Sequence, residues 1–301
     1  MKLPSDEAVR LAEDYLLRHA RILERRRFDH LFGGGAVEPV VAALVPYRNE
    51  DGGFGHALEP DGRGPGSQPV TVLAALGILD EVGAFASDLV PGACDYLVSI
   101  SADDGGVPFV HPNIRDHPRA PWWEIPAGYT GSLVPTGSLA GLLHKNKVSH
   151  PWLGPATEFC WRRIEALTAT SPYEAFAALQ FLNNVADRSR AEAAAARLGE
   201  LVREGGHVVL PSGTGPLPDG HDYFPNDYAP APEGLARQWF SDAELGSAMD
   251  SLEKSQQDDG SWPVRWGIWT PATAHEWGGW VTIEALKTLR AYGRLPARAV
   301  S

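Results

Sequence analysis

The chain has 301 residues, 44% of them apolar and 21% charged, with a formal net charge of −12 at pH 7. That composition supports a sizeable folded core, and the acidic balance argues against a general nucleic-acid or anionic-membrane binder, both of which need a basic surface. Cys94 and Cys160 are too few for a disulfide framework, and no apolar run approaches the roughly 18 residues of a membrane span. The N-terminus carries no signal-type apolar core, so a soluble, cytoplasmic protein is expected.

In chain order, a mixed-charge helix comes first and ends in the basic run Arg25–Arg27, read as a solvated face. The Gly/Pro-rich connection "GGFGHALEPDGRGPGSQP" (52–69) then leads into "QPVTVLAALGILDEVG" (68–83), apolar almost all round as a helix buried on every side should be. Further on, the polar-then-apolar alternation predicts outer helices over 87–100, 155–168, 189–205 and 241–256. Inner helices are predicted over 132–143, 172–185 and 277–292. A long Pro/Gly/Asp/Tyr-rich connection occupies 206–234, and connections of that length in compact domains are commonly functional. The repeating unit is an αα-hairpin with one solvated and one buried helix.

Three segments superpose without a gap: "LVPYRNEDGGF" (44–54), "LVSISADDGGV" (97–107) and "LEKSQQDDGSW" (252–262). A weaker copy, "RLGELVREGGHV" (197–208), has Glu204 where the others have Asp51, Asp104 and Asp259. The spacing fits a period near 52 residues, which gives nearly six hairpins over the chain. Alternating outer and inner helices at that count predict a single all-α domain over 1–301, an α/α toroid of five to six hairpins, with an open solenoid as the competing arrangement.

The residues of the third marker, Leu252, Gln256, Gly260 and Trp262, together with "DGSWPVRWG", resemble the repeat of squalene and oxidosqualene cyclases, and "DGGFG" (51–55) is similar to the repeat of protein prenyltransferase β subunits. The chain therefore resembles the terpenoid cyclase/protein prenyltransferase superfamily, as a divergent single-domain member. The resemblance implies the toroid, and it implies that Gln256 bonds backbone groups of a neighbouring repeat and packs on the tryptophan. Asp51, Asp104, Asp258 and Asp259 are read as turn and cap residues.

The family's chemistry does not transfer residue by residue. No Asp-x-Asp-Asp tetrad is present; the best-matching helix start has Gly66, Ser67 and Gln68 in its place. Neither cysteine lies in a zinc-ligand context, and no nucleotide-binding or serine-hydrolase motif occurs, so no metal or cofactor is expected. Candidate acid/base residues come instead from segments feeding the inner helices: His56, Glu59 and Asp61 before the first, His275 and Glu276 before the last. His221, Asp222 and Asp227 of the long connection, and Glu124 in "WWEIPAGY", are lesser candidates. Candidate wall residues for an apolar substrate are Phe54, Trp122, Trp123, Tyr223, Phe224, Trp266, Trp269, Trp277 and Trp280.

The expected function is a terpene cyclase-like or prenyltransferase-like enzyme, of isomerase or lyase type, acting on an isoprenoid or other small apolar substrate by acid/base chemistry. The alternatives are a carbohydrate-active toroid with paired carboxylates, and a non-catalytic toroid that holds a lipid or a partner.

Overall fold

A computed structural model describes residues 5–211 and 222–295 of the chain. Its helices are α1 (Ser5–His19), α2 (Ile22–Phe28), α3 (Glu38–Leu44), α4 (Pro69–Glu81), α5 (Leu89–Ser99), α6 (Leu133–Lys145), α7 (Leu153–Glu165), α8 (Pro172–Leu182), α9 (Arg188–Glu204), α10 (Pro225–Tyr228), α11 (Asp242–Lys254) and α12 (Pro271–Ala291). Among the described residues, β pairing is limited to two isolated bridges, Arg48–Phe54 and Gly62–Arg119, so the fold class is all-α. The chain divides into two compact units: residues 44–205, and residues 1–43 together with 206–301.

In the 44–205 unit, the predicted alternation of buried and half-solvated helices is realised. Helices α4, α6 and α8 bury residues on nearly every side, whereas α5, α7 and α9 bury one face. Helix α6 packs against α4, α7 and α8. Gly137 and Gly141, one turn apart on α6, lie over the Ala177 and Gln180 carbonyls of α8, and a side chain at either would strike that backbone. Small residues four apart let two helices meet at main-chain distance. Helix α8 begins at a reciprocal cap: Glu174 N donates to Ser171 Oγ and Ser171 N to Glu174 Oε2, each at 3.3 Å.

In the other unit, α1 packs on α2 and α12, and α11 on α10 and α12. The core joins Tyr15, Leu16, Phe28, Phe224, Trp262 and Leu286. Helix α12 starts at Pro271, six residues before the predicted 277, with Thr270 as its cap. The segment "TAHEW" is thus helical, not a connecting loop. Gly278 and Gly279 are the points where α12 meets Tyr15 and Ala20.

The three strong markers form one turn, repeated. In the first, Asn49 N donates to Gly53 O (2.9 Å), Gly52 N to Asn49 O (3.1 Å), and Gly53 N to Asp51 Oδ1 (2.9 Å). The same three bonds recur from Ala102 to Gly106 and from Gln257 to Ser261, with Asp104 and Asp259 as the acceptors. The central glycines have φ of 84°, 87° and 96°. Each lies directly against a carbonyl of another helix: Gly52 on Gly92 of α5, Gly105 on Pro155 of α7, Gly260 on Leu11 of α1. The weaker copy is a different structure. Its left-handed glycine is Gly206, one place later than the pattern requires, and no atom lies within 4 Å of where a side chain would project.

Gln256 completes the third turn. Its Nε2 donates to Ala8 O (2.8 Å) on α1 and to Gly260 O (3.0 Å), while Trp262 Nε1 donates to Leu252 O (2.8 Å). Gly260→Ala is expected to cost about 3 kcal/mol or more, because left-handed strain adds to overlap with the Leu11 carbonyl. Gly293→Ala, at φ 68° but in open space, is expected to cost only about 1–2 kcal/mol. Urea unfolding of the two variants checks the difference; equal losses would show that docking on α1 contributes nothing.

Candidate functional site

The connection between the first marker and α4 is built as a bracket. Ser67, 1% exposed, donates from Oγ to Asp51 Oδ1 (2.7 Å) and accepts there from Asn49 Nδ2 (2.9 Å). Its carbonyl accepts from Tyr96 OH (2.8 Å) and Asn113 Nδ2 (3.2 Å). Burial, and next the Asp51 charge, push the Tyr96 phenol pKa well up, so it serves as a donor. Gln68 ties the next connection down: its Oε1 accepts from His111 N (2.8 Å), and its Nε2 donates to His111 O (3.3 Å) and Asn113 Oδ1.

His56, Glu59 and Asp61 share this connection but have separate partners. His56 is exposed, and its Nε2 meets Asn49 Oδ1 at 2.9 Å. Glu59 Oε2 accepts from Asp61 N (2.9 Å), a turn contact. Asp61 is buried, and its Oδ2 accepts from Trp122 Nε1 (2.8 Å), which fixes an indole that is itself 43% exposed. Phe54 is fully buried and Trp123 is 3% exposed, edge-on to Phe109 and packed on Gly62. Both belong to the core, not to an open wall; Phe54 is held by its bridge to Arg48, and Trp123 follows the backbone pairing of 61–63 with 118–120. Glu124 is exposed.

The other unit carries the tryptophan wall. Trp277 meets Trp266 at 5.1 Å and 86°, and Trp280 at 6.2 Å and 68°, with all three half-buried. These are edge-to-face contacts favoured by the ring quadrupole. Trp269 is also half-buried, and among the described residues its Nε1 has no hydrogen-bond partner. His275 is exposed and stacks on His19 at 5.3 Å and 8°; Glu276 is half-buried.

The wall is backed by a residue that sequence reasoning misplaced. Arg27 is 1% exposed, its guanidinium lies 4.4 Å over the Trp280 ring, and its Nη2 donates to Glu284 Oε1 (3.1 Å). The Arg25–Arg27 run is therefore not a solvated face: one of its three arginines is in the core. Its partner stands 257 positions away, which no local pattern can show.

In the long connection, Phe224 is fully buried, and Arg265 lies 4.9 Å over its ring. Arg265 also donates to Asp222 O (2.6 Å) and Asp227 Oδ1 (2.7 Å). Phe224 and Asp227 are thereby fixed in the unit's interior fabric; Tyr223 packs edge-on to Tyr228. His221 lies outside the described residues. Burial, then Asp95, pushes the Cys94 thiol up to about 12, and burial likewise raises Cys160, so both stay thiols. Among the described residues no group of three or more His, Cys, Asp or Glu side chains is placed to hold a metal ion. No helix among them is long and apolar enough to cross a membrane.

No family model matches the chain, and no curated protein matches it. A crystal structure of a protein from Actinoplanes is similar, with a TM-score of 0.63 and 18% identity, covering 96% of this chain and 100% of that one. At that identity the likeness speaks for the fold alone.

The Asp61–Trp122 bond separates a structural from a protolytic role. Asp61→Asn keeps an acceptor for Trp122 and is expected to unfold within about 1 kcal/mol of wild type, whereas Asp61→Ala orphans the indole N–H and costs about 1–3 kcal/mol. Thermal unfolding of both reads this out. A large loss for the asparagine variant would show that the charge itself is required.

Proposed function

We propose that the chain binds an isoprenoid or comparably apolar small molecule on the wall of Trp266, Trp277 and Trp280, and acts on it by acid/base chemistry in the manner of a terpene cyclase or prenyltransferase. The observation that carries the reading is the wall itself. Three large indoles in mutual contact stay half-buried, where a core would cover them. The Asp–Gly markers support it through their resemblance to the cyclase and prenyltransferase repeats. So does their docking, each on a further outer helix of its own unit, which suits the toroidal order of hairpins in that superfamily. The shielded Trp269 N–H offers a donor to one oxygen of a ligand. Glu276, immediately before Trp277, is the proposed proton donor or acceptor.

Tryptophan fluorescence tests the proposal. Farnesol, a prenyl diphosphate and squalene, titrated against the protein, are expected to give a saturable change with at least one of the three. Trp277→Ala is expected to weaken that binding by roughly tenfold, as loss of an aromatic contact of about 1.5 kcal/mol does. Glu276→Gln is expected to bind the same ligand and to abolish turnover. Saturable binding of oligosaccharides with none of the isoprenoids would favour the carbohydrate-active reading and remove this one. Full binding with no turnover in wild type would reduce it to a binding protein.

A further inference from the structure

The connection after the first marker holds one more arrangement, independent of the tryptophan wall. Gly55 to Leu58 is a tight turn, closed by Leu58 N donating to Gly55 O (3.1 Å). Its two central residues, His56 and Ala57, have φ of 56° and 60°. Turns of this hand are built from Asn-Gly, because side chains with a Cβ resist the left-handed region. Phe54 and Leu58, flanking the turn, are both fully buried. The turn is pinned on both sides, and an exposed histidine is held at its tip in a conformation that asparagine or glycine would adopt at lower cost. Strain retained at an exposed, hydrogen-bonded ionisable residue is a mark of function more than of folding.

The hydrogen-bond chain behind His56 has a fixed direction. Pro65 O can only accept, so the Asn49 atom 2.9 Å from it is the amide nitrogen, which also donates to Ser67 Oγ at 2.9 Å. Asn49 Oδ1 is then the atom facing His56 Nε2 at 2.9 Å, and an amide oxygen can only accept. His56 therefore carries its proton on Nε2, and its basic lone pair is on Nδ1. Behind Asn49, Ser67 donates onward to Asp51 Oδ1 (2.7 Å). The sequence of donations runs His56 to Asn49, Asn49 to Ser67, Ser67 to Asp51, and ends on a carboxylate.

We propose that His56 is a proton-accepting site for the O–H of a bound hydroxyl group or water, and that Asn49 is its positioning residue. In the step assigned to it, Nδ1 takes the proton, the O–H electron pair stays on the oxygen, and the ring becomes an imidazolium. The Asn49 oxygen keeps its bond to Nε2–H, and that bond strengthens when the ring is charged. The proton then returns to product or to solvent. In the same connection, Glu59 Oε2 accepts from the Asp61 backbone N–H, and Asp61 Oδ2 from Trp122 Nε1.

The test needs no substrate. ¹⁵N NMR of the wild-type protein, with the His56 signals assigned by their loss in His56→Asn, is expected to show the neutral ring protonated at Nε2; a ring protonated at Nδ1 overturns the proposal. Carbethoxylation by diethyl pyrocarbonate, followed peptide by peptide, reads the lone pair itself. His56 is expected to react several-fold faster than the exposed His275, and Asn49→Leu is expected to remove that advantage while the fold persists. If Asn49→Leu fails to fold, the wild-type comparison still decides, because a His56 no faster than His275 overturns the proposal. His56→Asn and Ala57→Gly are expected to unfold at the same temperature as wild type or higher. A marked fall in both would make the turn a structural requirement and sink the functional assignment.

Discussion

The contact on which the rest depends is a glycine seated on another helix's carbonyl. At Gly52, Gly105 and Gly260 the chain reverses with φ near 90°, and its Cα comes to rest against the main chain of a helix outside its own hairpin. No other residue type permits both the conformation and the approach. The aspartate one place earlier holds the turn by taking the N–H one place later, which would otherwise be unpaired in a buried position. Beyond it, a further helix supplies the next partner: Val107 N donates to Thr136 Oγ1 of α6, and Trp262 N to Thr282 Oγ1 of α12. One short segment thus fixes the helix before it, a second helix and a third together. Against a net stability of only about 5–15 kcal/mol, loss of one such junction is a large fraction of the whole.

The three turns share their backbone and differ in what their aspartates also hold. Asp104 takes the Gly131 N–H, and Asp259 takes Ser261 Oγ. Asp51 takes Ser67, and through it Asn49 and His56. Once a rigid turn exists, its spare carboxylate lone pairs can orient a side chain elsewhere at no further backbone cost. Ser67 and Gln68 stand where the resembled cyclases carry acids. Here both are buried brackets engaged in hydrogen bonds.

Periodicity made the helices legible, and the gapless superposition of three markers made their turns legible, down to the aspartate and the glycine. What escaped has identifiable causes. Helix α12 begins at Pro271 because the Thr270 cap and a proline at the first position start it there, a local signal that the reading of "TAHEW" as a connection passed over. The Glu204 copy matched in letters yet lacks the docking that defines the turn, since its left-handed glycine is displaced by one. Arg27 was hidden within a basic run. Asn49 carried no signal, being a single polar residue whose importance lies in the orientation of its amide. Phe54, Trp123 and Phe224 were legible as aromatic and illegible as core, because composition does not distinguish a wall from an interior.

Arg27 also constrains what the tryptophan wall can do. A guanidinium 4.4 Å above Trp280 occupies one of the two negative faces through which that ring could stabilise a developing carbocation. Glu284 Oε1 accepts from Arg27, and Lys287 Nζ lies 2.9 Å from its Oε2, so one carboxylate is shared by two cations. On the proposed reading, a substrate cation cannot use the Trp280 face that Arg27 covers, and its stabilisation falls to the other ring faces of the wall. On the proposed reading, the wall thus holds an apolar chain by its indoles, with one face of Trp280 already committed to Arg27.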